Sequence, residues 1–169
     1  MAGKIKHYAL PRVSFNKEPK VLIVVAPYYK LIADNLLEGA KTEILASNGT
    51  FEIAEVPGAL EIATAIGIAE RLENFDAYVA LGCVIRGETS HYDTVCNDSS
   101  RGLTLLGLQG LCIGNGILTV ENLEQAEERA DQEKQNKGGD AAAAALHLLS
   151  LSHKWAAVSY THLTLPTKA

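Results

Sequence analysis

The chain has 169 residues, of which 47% are hydrophobic and 21% are charged, and its formal net charge is −5 at pH 7. These values are typical of one folded globular domain and exclude a disordered chain. The net negative charge gives no electrostatic reason to expect binding to nucleic acid or to an anionic membrane. No continuous apolar segment reaches the roughly 18 residues of a membrane span. Any anionic ligand must therefore be held by a local basic group.

The cysteines and the N-terminus indicate a cytoplasmic protein. Cys83, Cys96 and Cys112 are an odd number without the spacing of a metal site, so we expect free, reduced thiols. Residues 1–7 include basic side chains but no apolar segment of a secretory signal follows them.

Strand and helix signals alternate along the chain. Apolar, β-rich runs predict four strands, over Val21–Ala26, Phe51–Val56, Ala77–Ile85 and Cys112–Leu118. Helical spacing and stop signals predict five helices. The first contains Ala33, Leu37, Ala40 and Ile44 on one face and ends at Asn48-Gly49. The others are Leu60–Leu72, Asp93–Gln109, Glu121–Lys134, and a last helix that begins at an Asp140 N-cap and ends at about Lys154. Such alternation predicts a three-layer α/β domain with a parallel sheet between helical layers.

Glycines interrupt two of the predicted elements. Gly102 and Gly107 each weaken the third helix by roughly 1 kcal/mol, and they suggest close packing there. Gly114 and Gly116 lie within the fourth strand, where glycine often marks a bulge or a close approach to a ligand.

The two ends of the chain differ from this pattern. Residues 1–19 form an N-terminal arm before the first strand. Residues 156–169 show no helical period and contain Pro166, so we expect the domain to comprise residues 1–155. This tail resembles the translated read-through of a cloning or sequencing adaptor.

The stretch Leu81–Asp98 carries the strongest functional signal. Its apolar run stops at Arg86-Gly87, and polar residues that include Glu88, Thr89 and His91 follow at once. Ligands of parallel sheets bind where strands end, so these side chains are candidates for chemistry. A histidine there can give and take protons near neutral pH, although a lone histidine after a strand is more often structural.

Four segments together resemble lumazine synthase. They are Val56–Ile62, Leu81–Asp93, Gly114–Asn122, and Glu128–Ala130 followed by Asn136–Gly139, and the similarity runs from about Val21 to Trp155. The resemblance implies a flavodoxin-like sandwich with a four-stranded parallel sheet. It also implies homopentamers, or shells of twelve pentamers, with sites between neighbouring subunits.

The implied reaction condenses 5-amino-6-(D-ribitylamino)uracil with 3,4-dihydroxy-2-butanone 4-phosphate. It gives 6,7-dimethyl-8-ribityllumazine, phosphate and two waters. This reaction is the penultimate step of riboflavin biosynthesis and requires no metal or organic cofactor.

The resemblance implies that His91 is the residue that transfers protons. It places Glu88 and Thr89 at the phosphate, with the Glu88 backbone N–H rather than its carboxylate facing the anion. Arg129 becomes the phosphate's cation, although local sequence alone favours a solvated helix charge.

For the ribitylaminouracil, the resemblance implies a second set of residues. Tyr28 would stack on the pyrimidine, the backbone of Cys83, Val84 and Ile85 would recognise its edge, and Asn115 would hydrogen-bond to it in place of the aromatic residue of many relatives. Tyr29 is interpreted as a surface aromatic, and Arg86 as a support for the loop or a subunit contact. The ribityl chain is assigned to Ala59, Leu60, Glu61 and Lys137. Glu61 would lie one turn inside its helix, where the helix dipole alone also favours a glutamate, and Lys137 is equally consistent with a solvated charge.

Two other classes of function remain open at this stage. A flavin- or lumazine-binding module could use the same ribityl contacts without turnover, and a shell protein could assemble without activity. An acid–base residue together with a phosphate cation distinguishes an enzyme from either, since neither binding nor assembly needs that pair.

Overall fold

A computed structural model describes residues 5–164 of the chain, with side chains as far as Val158. The strands are β1 (Lys20–Val25), β2 (Thr50–Glu55), β3 (Ala77–Ile85) and β4 (Ile113–Val120). The helices are α1 (Lys30–Ala46), α2 (Ile62–Leu72), α3 (His91–Leu108), α4 (Leu123–Ala130) and α5 (Lys137–Thr164), and a 3₁₀ turn over Ala59–Glu61 precedes α2. The predicted alternation of strands and helices is confirmed.

The four strands form one parallel sheet in the order β2-β1-β3-β4. From β1 the chain passes to β2 on one side, and then crosses to β3 on the other side of β1. The connections therefore diverge between the carboxyl ends of β1 and β3. Such a switch point leaves a crevice in which doubly wound proteins bind their ligands.

Alternate side chains of β1 face two separate apolar layers. Val21, Ile23 and Val25 pack with α1, α4 and α5 on one face, whereas Leu22 and Val24 pack with α2 and α3 on the other. Because strand side chains alternate in direction, an unbroken apolar run supplies both layers at once. This arrangement confirms the three-layer α/β sandwich.

The glycines of β4 allow a helix to pack against the strand. The β3–β4 register runs without a bulge from Tyr78 opposite Ile113 to Ile85 opposite Val120. A Cβ on Gly114 would overlap the carbonyl group of Ala141 in α5, and one on Gly116 would lie 3.0 Å from the Ala141 Cβ. The predicted bulge is absent, and α5 occupies the space beside Gly114.

The glycines of α3 behave differently from one another. A Cβ on Gly102 would come within 2.8 Å of the Ala63 Cβ in α2, so this glycine permits close helix packing as predicted. Around Gly107 no neighbour lies within 4 Å, so packing does not require glycine there.

The boundaries of the last two helices differ most from the predicted ones. The fourth helix is shorter, because the Asn122 side chain caps its start by accepting the Gln125 N–H, and the backbone turns extended at Asp131. The predicted Asp140 N-cap is wrong. Asn136 holds that position, since its Oδ1 accepts the Gly139 N–H at 3.3 Å, and Asp140 lies in the first turn of α5.

The last helix continues to Thr164 rather than ending near Lys154. Ala156 and Ala157 favour a helix, and the first helix-breaking residue, Pro166, lies outside the described residues. Residues 151–158 are all exposed, so this extension adds nothing to the core. Within residues 5–164, none of the helices combines the length and apolar character needed to cross a bilayer.

Candidate active site

A cleft of about 420 Å³, here called the strand-end cleft, opens at the carboxyl ends of β1 and β3. Its walls come from the segments that follow β1, β2 and β3, which are distant in sequence. Nine of the thirteen predicted site residues line it: Tyr28, Ala59, Leu60, Glu61, Cys83, Val84, Ile85, Thr89 and His91. The cleft lies at the switch point of the sheet, where this topology favours ligand binding.

The end of β3 presents backbone groups to the cleft. Pairing between β1 and β3 stops at Leu81, whose carbonyl accepts the Ala26 N–H, whereas β3 continues to Ile85 beside β4 alone. Successive odd-numbered residues of a parallel strand direct their N–H and C=O groups the same way. The groups of Cys83 and Ile85 therefore face the side where β1 has ended, which suits recognition of a flat heterocycle's edge.

Two tyrosines follow β1 at the rim of this cleft. Tyr28 is 75% exposed, and its ring meets that of Tyr29 edge-on with centroids 5.1 Å apart. Tyr29 is half-buried, packs against the core and lines the cleft, so its interpretation as a surface aromatic is wrong. By supporting Tyr28 from the edge, Tyr29 leaves a face of the Tyr28 ring available for stacking.

The segment after β2 enters the cleft through the 3₁₀ turn. Ala59 is buried there, while Leu60 and Glu61 are exposed. Glu61 occupies the N-cap position of α2 rather than a place one turn inside a helix, and it makes no capping hydrogen bond with its side chain. Its carboxylate is therefore available to a ligand in the cleft.

The segment after β3 brings the start of α3 to the cleft. His91 is the first residue of this helix, its side chain is exposed, and its N–H donates to Thr89 Oγ1 at 3.3 Å. Helix N-termini attract anions through unpaired N–H groups and the helix dipole. Glu88 is exposed in the same loop but does not line the cleft.

Cys83 lies in the floor of the cleft, and burial raises the pKa of its thiol to about 11. All three cysteines are unpaired, as predicted. Because thiolates are the reactive form, we expect iodoacetamide to modify Cys83 at pH 8 about a hundredfold more slowly than an ordinary thiol. Peptide mapping by mass spectrometry over time, with glutathione as the reference, measures this rate, and equal rates would contradict the proposed protection.

Three of the four remaining predicted residues lie in a second cleft of about 340 Å³ between β4 and α5, here called the β4–α5 cleft, and the fourth, Glu88, lines neither cleft. Asn115, Arg129 and Lys137 all line it. Asn115 Oδ1 accepts the Ile117 N–H at 2.9 Å, so its amide NH₂ is the group left for a ligand. Lys137 Nζ pairs with Asp140 Oδ2 at 3.5 Å.

Arg129 is the cation of the β4–α5 cleft without an acidic partner. It is half-buried and donates from Nη1 to the Gln125 carbonyl at 3.1 Å. None of the ion pairs among residues 5–158 includes it. No lysine or arginine of the described chain lines the strand-end cleft, so the two clefts divide the predicted groups between them.

Sequence reasoning missed Tyr92 and Val95, which line the strand-end cleft from α3. Val95 lies one helical turn after His91, so the start of α3 at His91 would have indicated it, whereas Tyr92 is the next residue along the chain. The fold and its cleft at the switch point define a doubly wound α/β protein that binds a small molecule at its strand ends.

Comparison with known proteins identifies the family. The model of the 6,7-dimethyl-8-ribityllumazine synthase family matches residues 18–153. A 6,7-dimethyl-8-ribityllumazine synthase of Jannaschia sp. is 59% identical over 85% of this chain and 81% of its own length. Those of Sphingopyxis alaskensis and Bartonella tribocorum are 53% and 52% identical, over 80% and 82% of this chain and 96% and 93% of their own lengths. The chain belongs to the 6,7-dimethyl-8-ribityllumazine synthase family.

Proposed function

We propose that this chain carries out the reaction of its family at the strand-end cleft. It condenses 5-amino-6-(D-ribitylamino)uracil with 3,4-dihydroxy-2-butanone 4-phosphate, and releases 6,7-dimethyl-8-ribityllumazine, phosphate and two waters. The observation that carries the proposal is the convergence of nine predicted site residues, from three distant segments, on one cleft.

The first substrate fits the side of the cleft formed by β1, β2 and β3. Tyr28 stacks on the pyrimidine, and the free backbone edge of Cys83 and Ile85, on either side of Val84, matches its donors and acceptors. The hydroxyls of the ribityl chain extend along Ala59 and Leu60 towards the Glu61 carboxylate. Each contact satisfies a polar or aromatic group that the cleft otherwise leaves exposed.

The second substrate carries a phosphate, which requires a cation that the strand-end cleft lacks. We propose that a neighbouring copy supplies Arg129, Lys137 and Asn115 from its β4–α5 cleft. The phosphate then lies between the loop containing Glu88 and Thr89, the first turn of α3, and the neighbour's Arg129. Arginine suits this role because its planar donors match phosphate oxygens.

Exposed apolar side chains on α2 and α3 support self-association. Ile68, Leu72, Leu105 and Leu108 are between 46% and 81% exposed. The two helices pack against each other, and exposed apolar patches mark protein interfaces. A donor cleft and an acceptor cleft on one chain define a head-to-tail contact, which forms a ring when the rotation between copies closes. We propose the family's ring of five, of about 90 kDa from 18.1 kDa chains.

His91 transfers protons during the condensation. The 5-amino group of the pyrimidine attacks the ketone, and the resulting carbinolamine loses water to give an imine. His91 donates a proton to the departing hydroxyl and accepts a carbon-bound proton when phosphate is eliminated. The ribitylamino nitrogen then attacks the ketone that the elimination leaves, and loss of the second water closes the ring. Its exposed ring at the mouth of the cleft lies beside the helix terminus that holds the phosphate.

The location follows from the same reasoning. The family's substrates belong to biosynthetic metabolism, and three unpaired thiols suit a reducing compartment. We place the protein in the cytoplasm.

The deciding experiment incubates the purified full chain with both substrates. Lumazine fluorescence and released inorganic phosphate should rise together in equal amounts. Light scattering of the same sample should give a mass of a pentamer or of its sixty-subunit shell. A protein that binds lumazine but forms neither product would be a binding module, and an assembled protein that does neither would be a shell protein.

We expect His91→Ala to lower kcat by up to about 10²-fold and to leave both KM values nearly unchanged. General acid–base catalysis contributes about 10²–10⁴-fold, and the bound substrates keep their relative position. Steady-state kinetics at saturating substrate measure the effect. His7→Ala, an exposed histidine in the N-terminal segment, serves as the control and should retain full activity. An unchanged kcat for His91→Ala would remove this residue from the mechanism.

A further inference from the structure

Arg86 is the conspicuous charge of the Leu81–Asp98 stretch that the proposed chemistry does not use. It follows β3 directly, at the root of the loop that leads to His91. Its Nε donates to Glu121 Oε2 at 2.8 Å, and its Nη1 lies 3.7 Å from Asp93 Oδ1. Its guanidinium carbon lies 4.3 Å from the centroid of the Tyr92 ring.

These contacts join three parts of the fold. Glu121 follows the end of β4, whereas Tyr92 and Asp93 belong to the first turn of α3. The Arg86 N–H also donates to the Val120 carbonyl at 2.9 Å, which fixes the backbone of Arg86 to β4. Residues 87–90 therefore form a short loop, anchored at one end by the sheet and at the other by the contacts of the Arg86 guanidinium with the first turn of α3.

The loop held in this way contains the groups proposed to contact phosphate and to transfer protons. Gly87, Thr89, His91 and Tyr92 all line the strand-end cleft. Tyr92 lines the cleft, and its ring lies against the Arg86 guanidinium. A displacement of the first turn of α3 would move His91 and the helix N–H groups together, because they share one rigid turn.

We propose that Arg86, together with Glu121, is a positioning clamp that sets the phosphate loop and His91 for catalysis without touching either substrate. The proposal rests on the proposed function for the identity of the reaction. The clamp itself rests on the contacts of Arg86. The hydrogen bond to Glu121 raises the pKa of Arg86, so its charge is constant over the working pH range.

The contacts indicate positioning rather than stabilisation of the fold. The Arg86 and Glu121 side chains are 45% and 56% exposed, and ion pairs that exposed contribute little to global stability. Arg86→Ala should therefore fold and assemble normally. Its effect should appear in the loop and in the reaction.

The first measurement is amide hydrogen exchange of the assembled protein. In Arg86→Ala, exchange should accelerate in residues 87–93, with the core strands unchanged. Arg12→Ala is the matched control, because Arg12 also forms a two-point contact with a glutamate, Glu43, away from the cleft. Unaltered exchange in residues 87–93 would overturn the clamp, whatever reaction the protein performs.

The second measurement is steady-state kinetics with each substrate varied in turn. Arg86→Ala should lower kcat/KM for the butanone phosphate by about 10- to 100-fold, because small displacements of positioned groups cost that much. The KM for the ribitylaminouracil, whose proposed contacts lie elsewhere, should stay unchanged. An equal rise in both KM values, or an unchanged kcat/KM for the phosphate, would overturn the positioning role.

Two further variants test whether the pair acts as one unit. Arg86→Lys keeps the charge but loses the planar fork and the stacking on Tyr92, so it should recover only part of the lost activity. Arg86→Ala/Glu121→Ala should be no worse than Arg86→Ala alone, and additive losses would overturn the pairing. An inactive wild-type protein would refute the proposed function, while the exchange measurement would still decide the clamp.

Discussion

Arg129→Ala should raise the KM for 3,4-dihydroxy-2-butanone 4-phosphate by about 10- to 100-fold and leave the KM for the ribitylaminouracil nearly unchanged. Hydrogen bonds to a charged group contribute about 1.5–3 kcal/mol each, which corresponds to this range. Arg129 is half-buried, and its guanidinium has no acidic partner among residues 5–158. A phosphate would complete its interactions, and steady-state kinetics with each substrate varied separately measure the change.

Arg129→Lys distinguishes a point charge from a two-point contact. It should recover only part of the affinity, because an ammonium group cannot bind two phosphate oxygens in the plane of a guanidinium. Arg12→Ala removes an arginine that pairs with Glu43 and should leave both KM values unchanged. An unchanged KM for the phosphorylated substrate in Arg129→Ala would show that another group holds the phosphate.

Mixing two impaired variants tests whether the site is shared between subunits. His91 lines the strand-end cleft and Arg129 the β4–α5 cleft. If neighbouring copies join these clefts, co-assembly of His91→Ala with Arg129→Ala should restore both groups in about one quarter of the sites of a random ring. The activity of refolded mixtures should exceed that of either variant alone. No recovery in mixed assemblies would contradict the shared site.

Gly114→Ala should destabilise the fold by about 3 kcal/mol or more, the upper end of the usual cost of overpacking. The added methyl group would overlap the Ala141 carbonyl, and backbone of a central helix cannot move aside as a flexible side chain can. For a chain of this size the loss lowers Tm by about 6–12 °C. Thermal unfolding at a fixed protein concentration measures it, because assembly makes Tm depend on concentration.

Gly107→Ala is the matched control, and it should change the stability of the fold in the opposite direction. Gly107 is exposed in α3, and a Cβ there meets nothing within 4 Å. Alanine should stabilise the helix by about 0.5–1 kcal/mol, because it restricts the unfolded chain and favours helix. A Gly114→Ala protein as stable as the wild type would show that α5 can shift away from β4.

The order of the elements could be predicted from the sequence because it depends on local patterns. The run Ala77–Ile85 coincides with β3, and the stop at Asn48-Gly49 coincides with the end of α1. One error arose where contacts between distant segments decide the outcome, since the glycines of β4 pack against α5 without a bulge. Another was local, because Asn136 rather than Asp140 caps α5 through the N–H of Gly139.

Some features of the candidate site also follow from the sequence, and others depend on the tertiary structure. The sequence by itself determined the family, the identity of the candidate side chains and the segment that contains His91, because these follow from residue types at short spacings. Only the tertiary structure decided that three segments converge on the strand-end cleft while Asn115, Arg129 and Lys137 line another. It also decided that Arg86 joins β4 to the first turn of α3. Spacing along the chain carries no information on which distant segments meet, since strand order and helix packing determine that.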